Sequence, residues 1–460
     1  MDLIIKNGIL ITACDTYKAD IGIEKGKIVQ ICSNIDSTDS TKVVDAHEQY
    51  ILPGVIDAHV HYNLPMADTV CTEDYTTGTK AAACGGVTTI IDFSTQIPGG
   101  SLLDSIKLKK EEANKKACID YSIHAGITDW EVAKNELDQA FCEGVSSFKM
   151  FMTYPARGLM SNDADIFCAL EETKKRGGVI AVHAESSPLL DLLIERYHKQ
   201  KDKYKIQAHV LSRPDIIEIE AIERVVRLAE LSKGTLYIVH MTTGEGAIAI
   251  KKARERGVNV YSETCPQYLL LDETVFDQPN GHFYSTCPQI KSKKNQEVLL
   301  KHVRNHDIQV IATDNCTFTA KQKDLWQQDF TKLPFGLPGT ETLLTTMYTS
   351  LVHGKYISLN HLVELLCSNP AKIYGLYPQK GTLAIGSDAD ITIFDPEKEV
   401  TLDYKNLATN CDWSPYQGMK LHGYPSYTIS RGQIVAKDAQ YVGEIGHGVF
   451  LERGTSCSIL

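Results

Sequence analysis

The sequence has 460 residues, 43% hydrophobic and 23% charged, with a formal net charge of -11 at pH 7. This is globular composition, which excludes disorder, collagen and coiled coil, and its acidic balance argues against nucleic-acid or anionic-membrane partners, which require basic surface. The 13 cysteines are scattered, with no CxxC spacing, and read as reduced thiols of a cytoplasmic protein rather than a disulfide framework. The N-terminus (MDLIIKNGILIT) carries Asp2 and only short apolar stretches, so it is not read as a signal peptide. No stretch reaches the roughly 18 apolar residues of a membrane helix.

Residues 3–12 (LIIKNGILIT) and 21–31 (IGIEKGKIVQI) are short apolar runs broken at Asn7-Gly8 and Lys25-Gly26, both turn signals. From residue 55 the pattern changes. Eight β-branched runs alternate with helix-like stretches: 55–61, 86–93, 118–126, 145–152, 178–185, 235–242, 258–264 and 308–315. Near-continuous apolar strands suit a parallel sheet covered on both faces, and eight βα units predict an α/β fold, the (β/α)8 TIM barrel. Gly-Gly pairs at 85–86 and 177–178 precede two of the runs, as expected of αβ loops. Past residue 374, ADITIFD (389–395) and YTISRGQIVAKD (427–438) return to the strand–turn style. Neither end has enough strands to close a core, so together they are expected to form one small sheet domain. The predicted division is 1–52 and 375–440 for that domain, 53–374 for the barrel, and 441–460 as a poorly packed tail.

Parallel barrel strands end at one rim, where catalytic groups gather. His59, His61, Lys149, His183, His240 and Asp314 fall at the ends of such runs. Each is a polar side chain in an apolar strand, and burying one alone costs roughly 2–7 kcal/mol on transfer scales. Convergence on metal would satisfy them together. His59 and His61 lie two apart and so face one side of a strand. Four imidazoles and a carboxylate suit Zn, Mn, Ni or Fe better than Mg or Ca. They are too many for one tetrahedral ion with an open position, so two ions are expected. Lys149 is repelled as an ammonium beside two cations; a neutral amine that adds carbon dioxide would become an anionic bridge. His47, Asp57, His124 and His282 are read as satisfied core or ligand-supporting groups.

The chain resembles the D-hydantoinase/dihydropyrimidinase branch of the amidohydrolase superfamily. The resemblance rests on PGVIDAHVHYN (53–63), TKAAACGGVTTIIDF (79–93), SSFKMFMTY (146–154), AVHAES (181–186), LYIVHMTTGEG (236–246), ETCPQYLLLD (263–272), ATDNC (312–316), GLPGTET (336–342) and SRGQIV (430–435). It covers essentially the whole chain. It implies a binuclear metal barrel, a small β-sandwich built from both termini, and a homotetramer. Residue by residue, it implies that His59, His61 and Asp314 hold one zinc and that His183 and His240 hold the second. Lys149 then matches the carboxylated bridging lysine, and Tyr154 the tyrosine that steadies the oxyanion. Three positions depart from the pattern. Cys287 stands for a serine, Phe335 for an asparagine and Asn315 for a histidine. In relatives the first two line the ring-binding site, largely through backbone groups. The arginine that dihydroorotases carry two residues after the paired histidines is here Asn63.

The implied chemistry is metal-assisted hydrolysis of a small cyclic amide, with Asp314 as general base then acid and Tyr154 at the oxyanion. Loops near 62–72 and 154–162, with Leu64, Met66, Tyr154, Leu159 and Met160, are expected to wall an apolar pocket. This favours a 5-substituted hydantoin, with dihydropyrimidine close behind. An allantoinase-type hydrolase and a non-catalytic scaffold relative are the alternatives, and retention of all six ligand types argues against the second.

Overall fold

The computed structural model describes residues 1–38 and 41–459. Eight parallel strands form the central sheet: Val55–Val60, Val87–Thr95, Asp120–Gly126, Ser147–Phe151, Val179–His183, Thr235–Ile238, Val260–Thr264 and Val310–Ile311. They pair in chain order, and each lies within one of the eight runs or overlaps it closely. The first and eighth are stitched by His61 N to Asn315 O (2.8 Å) and Asn315 N to His59 O (3.3 Å), which nearly closes the barrel. The strands are buried along almost their whole length, because helices cover the outer face and side chains fill the inner one. Those helices include Tyr75–Cys84, Leu102–Ala113, Asp163–Lys174, Asp215–Ser232, Gly244–Glu255 and Lys293–Arg304. Asp74 and Ser101 cap the first two by accepting from backbone N–H groups of the first turn, which satisfies donors with no intrahelical partner. The turn into the second strand needs both its glycines. Gly86 has φ +88°, and a Cβ at Gly85 would lie 2.2 Å from the Glu341 carbonyl oxygen.

The two ends of the chain build a second, mainly antiparallel nine-stranded sheet. Its seam is the antiparallel pairing of Tyr50–Pro53 with Ile391–Thr401, where Leu52 faces Thr392. Lys25-Gly26 turns between two strands as expected. Asn7-Gly8 does not turn the chain: Leu3–Ile11 runs on as one strand with a register shift there. Asn7 takes φ 58°, and Gly8 lies so near Ile51 that a Cβ would clash. The local signal was right about the backbone angle and wrong about its use, which is a β-bulge.

The C-terminal segment is not poorly packed. Leu451 N donates to Tyr121 O (2.8 Å) and Val449 N to Asp120 Oδ1 (3.0 Å). Arg453 is 5% exposed and enters the base of the barrel. There it donates to Ser122 Oγ (2.8 Å), Ser147 Oγ (2.7 Å) and the Ile123 carbonyl. Those polar partners sit on inward-facing barrel positions, a context invisible from the tail's own composition. Beside it, Lys380 is buried among Asp120 (2.6 Å), Asp390 (2.6 Å) and Asp388 (3.1 Å), joining barrel to terminal sheet. Among the described residues no helix is long and apolar enough to cross a membrane.

Candidate metal centre

At the C-terminal rim the two histidines of the first strand converge as their spacing requires. His59 Nε2 and His61 Nε2 each lie 3.2 Å from Asp314 Oδ1. Across the mouth, His183 Nδ1 and His240 Nε2 are 3.0 Å apart. The His59 and His240 rings, with centroids 5.5 Å apart, bring the two groups together. Ligands about 2.1 Å from a tetrahedral ion sit about 3.3 Å from each other, so both groups have the bite of a metal site. His240 Nδ1 is buried with no hydrogen-bond partner. Burial drives the His59, His183 and His240 rings toward the neutral, lone-pair-bearing form. The donor set fits divalent ions.

Lys149 stands between the groups on the fourth strand. It is 3% exposed. Its Nζ lies over the Phe93 and Phe151 rings, at 5.5 and 5.3 Å, and makes no ion pair among the described residues. Burial pushes its pKa down to about 7, against the pull of Glu263 and Asp314. An amine so placed gives up its proton far more readily than an exposed lysine.

Two carboxylates that sequence reasoning missed stand behind the histidines. Glu263 bonds His59 Nδ1 and accepts from Tyr237 Oη (2.9 Å) and His240 N (3.1 Å). Glu185 lies 2.7 Å from His183 Nε2 and is gripped by Arg213 Nη1 at 2.7 and 2.8 Å. Such partners fix the ring orientation and tautomer of a metal-binding histidine. Burial works to raise the Glu185 carboxyl, but the Arg213 charge and the hydrogen bond from His183 hold it below the usual range. A signal existed for both. Glu185 follows His183 by two residues, and Glu263 is the last residue but one of the seventh run.

Tyr154 lies at the same mouth, its Oη 3.3 Å from Glu185 Oε2 and its ring 5.2 Å from that of His183. Burial raises the phenol pKa well above its ordinary value, so it stays a proton donor. Tyr154, His240 and Asp314 have φ of 67°, 38° and 53°. Non-glycine residues adopt this region at a cost of order 1–3 kcal/mol each, which marks a rim built for placement rather than comfort.

A cavity of about 590 Å³ opens over these groups, walled by Leu64, Met66, Phe93, Phe151, Leu159 and Phe335 among others. Cys287 also lines it; Met160 does not and is 38% exposed. Phe335 stacks on His209 at 5.1 Å, and its N–H points at Met66 Sδ (3.2 Å). Buried Lys323 ties the loops carrying Cys287 and Phe335, donating to Pro334 O (2.8 Å) and Gly336 O (2.7 Å) and reaching Ser285 O (3.4 Å). Asn315 turns from the cavity. Its amide donates to Glu73 (2.7 Å) and accepts from Gly339 N (2.8 Å). His124 bonds Ser147 and Ala58 O, and Asp57 accepts from Thr313 and Thr340, so both are satisfied core groups. His282 stacks on Trp326, whereas His47 is on the surface with its side chain 78% exposed.

A barrel whose rim gathers imidazoles, a carboxylate and a lone lysine defines a metal-dependent hydrolase scaffold. Residues 50–435 match the model of the amidohydrolase family, and the chain belongs to that family. It is 38% identical to D-hydantoinase of Geobacillus stearothermophilus, over 98% of this chain and 97% of that one. It is 37% identical to D-phenylhydantoinase of Escherichia coli O1:K1 / APEC, over 98% of each. The crystal structure of dihydropyrimidinase from Brevibacillus agri NCHU1002 superposes with a TM-score of 0.96 at 39% identity, covering 100% of both chains.

Proposed function

We propose that the protein is a cyclic amidohydrolase that opens a 5-substituted hydantoin or dihydropyrimidine ring to the N-carbamoyl amino acid. The observation that carries this is the meeting of His59, His61 and Asp314 with His183 and His240 around an amine without an ion-pair partner. His59, His61 and Asp314 would hold one ion, and His183 and His240 the other. Lys149 would help hold both, as the carbamate that forms when its neutral amine adds carbon dioxide and releases a proton. Imidazole and carboxylate donors favour zinc. When bound, two such ions supply Lewis acidity and a nucleophile available near neutral pH.

The chain's own groups do the rest. Asp314 takes the proton of the attacking water and returns it to the leaving ring nitrogen. Tyr154 Oη donates to the carbonyl oxygen as it gains charge. The apolar walls shed water from the substituent, and the Cys287 and Phe335 loops hold the ring. The reduced thiols and the resemblance together point to a cytoplasmic homotetramer. Retention of every ligand type sets the non-catalytic scaffold aside, and the substrate panel separates the allantoinase alternative.

The test is incubation of the zinc-loaded protein and of Lys149→Ala with hydantoin, 5-phenylhydantoin, dihydrouracil, allantoin and dihydroorotate, with metal content measured in parallel. Ring opening of the phenyl compound and dihydrouracil is expected, and Lys149→Ala should lose both activity and metal. No opening across the panel by protein holding two ions would refute the reading. Full activity with two ions in Lys149→Ala would remove the bridge.

A further inference from the structure

Apart from Lys149, the wall of the cavity carries one basic side chain that no acid balances among the described residues. Three ionisable side chains stand along its outer part: Lys109, Glu112 and Arg157. Lys109 is paired with Asp92 and Glu112, each at 3.2 Å, and Glu112 also accepts from Asn63 (3.4 Å). Arg157 makes no ion pair among the described residues. Its guanidinium lies over the ring of Tyr154, 5.4 Å from the centroid. That ring is in turn 5.2 Å from the His183 ring. The phenol therefore stands between the candidate metal centre and the guanidinium.

The turn that carries Arg157 is braced. Tyr154 and Gly158 both take left-handed angles, φ 67° and 68°, at the two ends of the short helix Pro155–Arg157. Arg157 N and Leu159 N both donate to Tyr154 O, at 3.1 and 3.3 Å. Gly158 packs so near Pro98 that a Cβ would approach it to 2.8 Å. Arg157 is an exposed side chain that lines the cavity. Burial pushes the Cys287 thiol up, and Arg213 and Arg157 both pull it back. Leu64, Ile97, Pro98 and Leu159 line the same cavity. The cavity wall thus offers apolar surface together with a guanidinium that makes no ion pair among the described residues.

We propose that Arg157 determines specificity by selecting ring substrates whose substituent ends in a carboxylate, a hydantoin bearing a short acidic arm. This rests on the cyclic amidohydrolase reading and names the substrate class within it. A guanidinium recognises a carboxylate by two parallel N–H···O bonds. The chain's net charge of -11 repels anions at long range, so an acidic substrate needs a local cation to bind. An exposed pair is weakened by solvent, which sets the expected preference at tens rather than thousands.

The experiment compares 5-(2-carboxyethyl)hydantoin with its neutral isostere 5-(2-carbamoylethyl)hydantoin on the zinc-loaded wild type, R157Q and R157K. In the wild type kcat/KM should favour the acid at least tenfold, the difference lying in KM. That ratio should collapse toward one in R157Q, fall partway in R157K, and shrink in 0.5 M sodium chloride. A wild-type ratio of one or below, or an unchanged ratio in R157Q, overturns the assignment. Failure to open either compound or unsubstituted hydantoin would instead defeat the ring-hydrolase reading, and Arg157's role with it; neutral rings failing too makes that case recognisable.

Discussion

The carboxylate of Glu263 accepts from three donors at once: His59 Nδ1, Tyr237 Oη and His240 N. Burial raises its pKa to about 7, and a metal-bearing neighbourhood would favour the ionised form. Glu263→Gln keeps the shape, removes the charge and offers His59 an amide. We expect metal affinity to fall about 10–100-fold, measured by competition with a chelator, with the thermal transition followed to confirm folding. Unchanged affinity would show that Glu263 is only packing. The candidate ligands were legible because a histidine or aspartate is conspicuous in an apolar run, and the i, i+2 spacing of His59 and His61 fixes their common direction. Arg213 was not legible. It lies in a polar stretch between helices, and only the fold carries it under Glu185. Lys323 is equally ordinary in sequence; its three carbonyl neighbours come from segments distant along the chain.

At the level of elements, the eight barrel strands could be read because each is buried on both faces and keeps a single apolar signature. The segments that lacked this signature were misread. The bulge at Asn7-Gly8 looks locally like a turn, and the C-terminal arm looks like solvent-exposed chain because its anchors are hydrogen bonds to other elements. The joint between barrel and terminal sheet is of the same kind. Lys380, Arg431 and Lys27 meet Asp120, Asp388 and Asp390 there, three cations against three anions with Lys380 at the centre. Lys380→Met should cost about 3–5 kcal/mol, since it leaves buried carboxylates facing one another. Urea denaturation reads this directly. A loss below about 1 kcal/mol would mean that Arg431 and Lys27 suffice.

On the scale of the whole molecule, the helices Ser187–His198 and Asp215–Ser232 expose Leu189, Leu192 and Ile216, at 38%, 50% and 54%. Apolar side chains grouped on neighbouring helices mark an association surface more often than an accident. The resemblance implies a homotetramer, and light scattering should give four times the chain mass, with Leu192→Glu shifting the population to smaller species. A monomer at micromolar concentration would contradict the tetramer. Single exposed leucines are normal, and composition alone does not set these three apart.

The seam between Leu52 and Thr392 and the seating of Arg453 under the third and fourth strands also govern how the protein comes into being. During translation the early strand waits for a partner synthesised hundreds of residues later, on the order of tens of seconds at ordinary elongation speed. Throughout that interval the nascent barrel has an open floor and an unpaired edge, the kind of surface chaperones bind and aggregates grow from. A message truncated before codon 453 would therefore yield a polypeptide with every candidate metal ligand present and without the Arg453 contacts under the third and fourth strands.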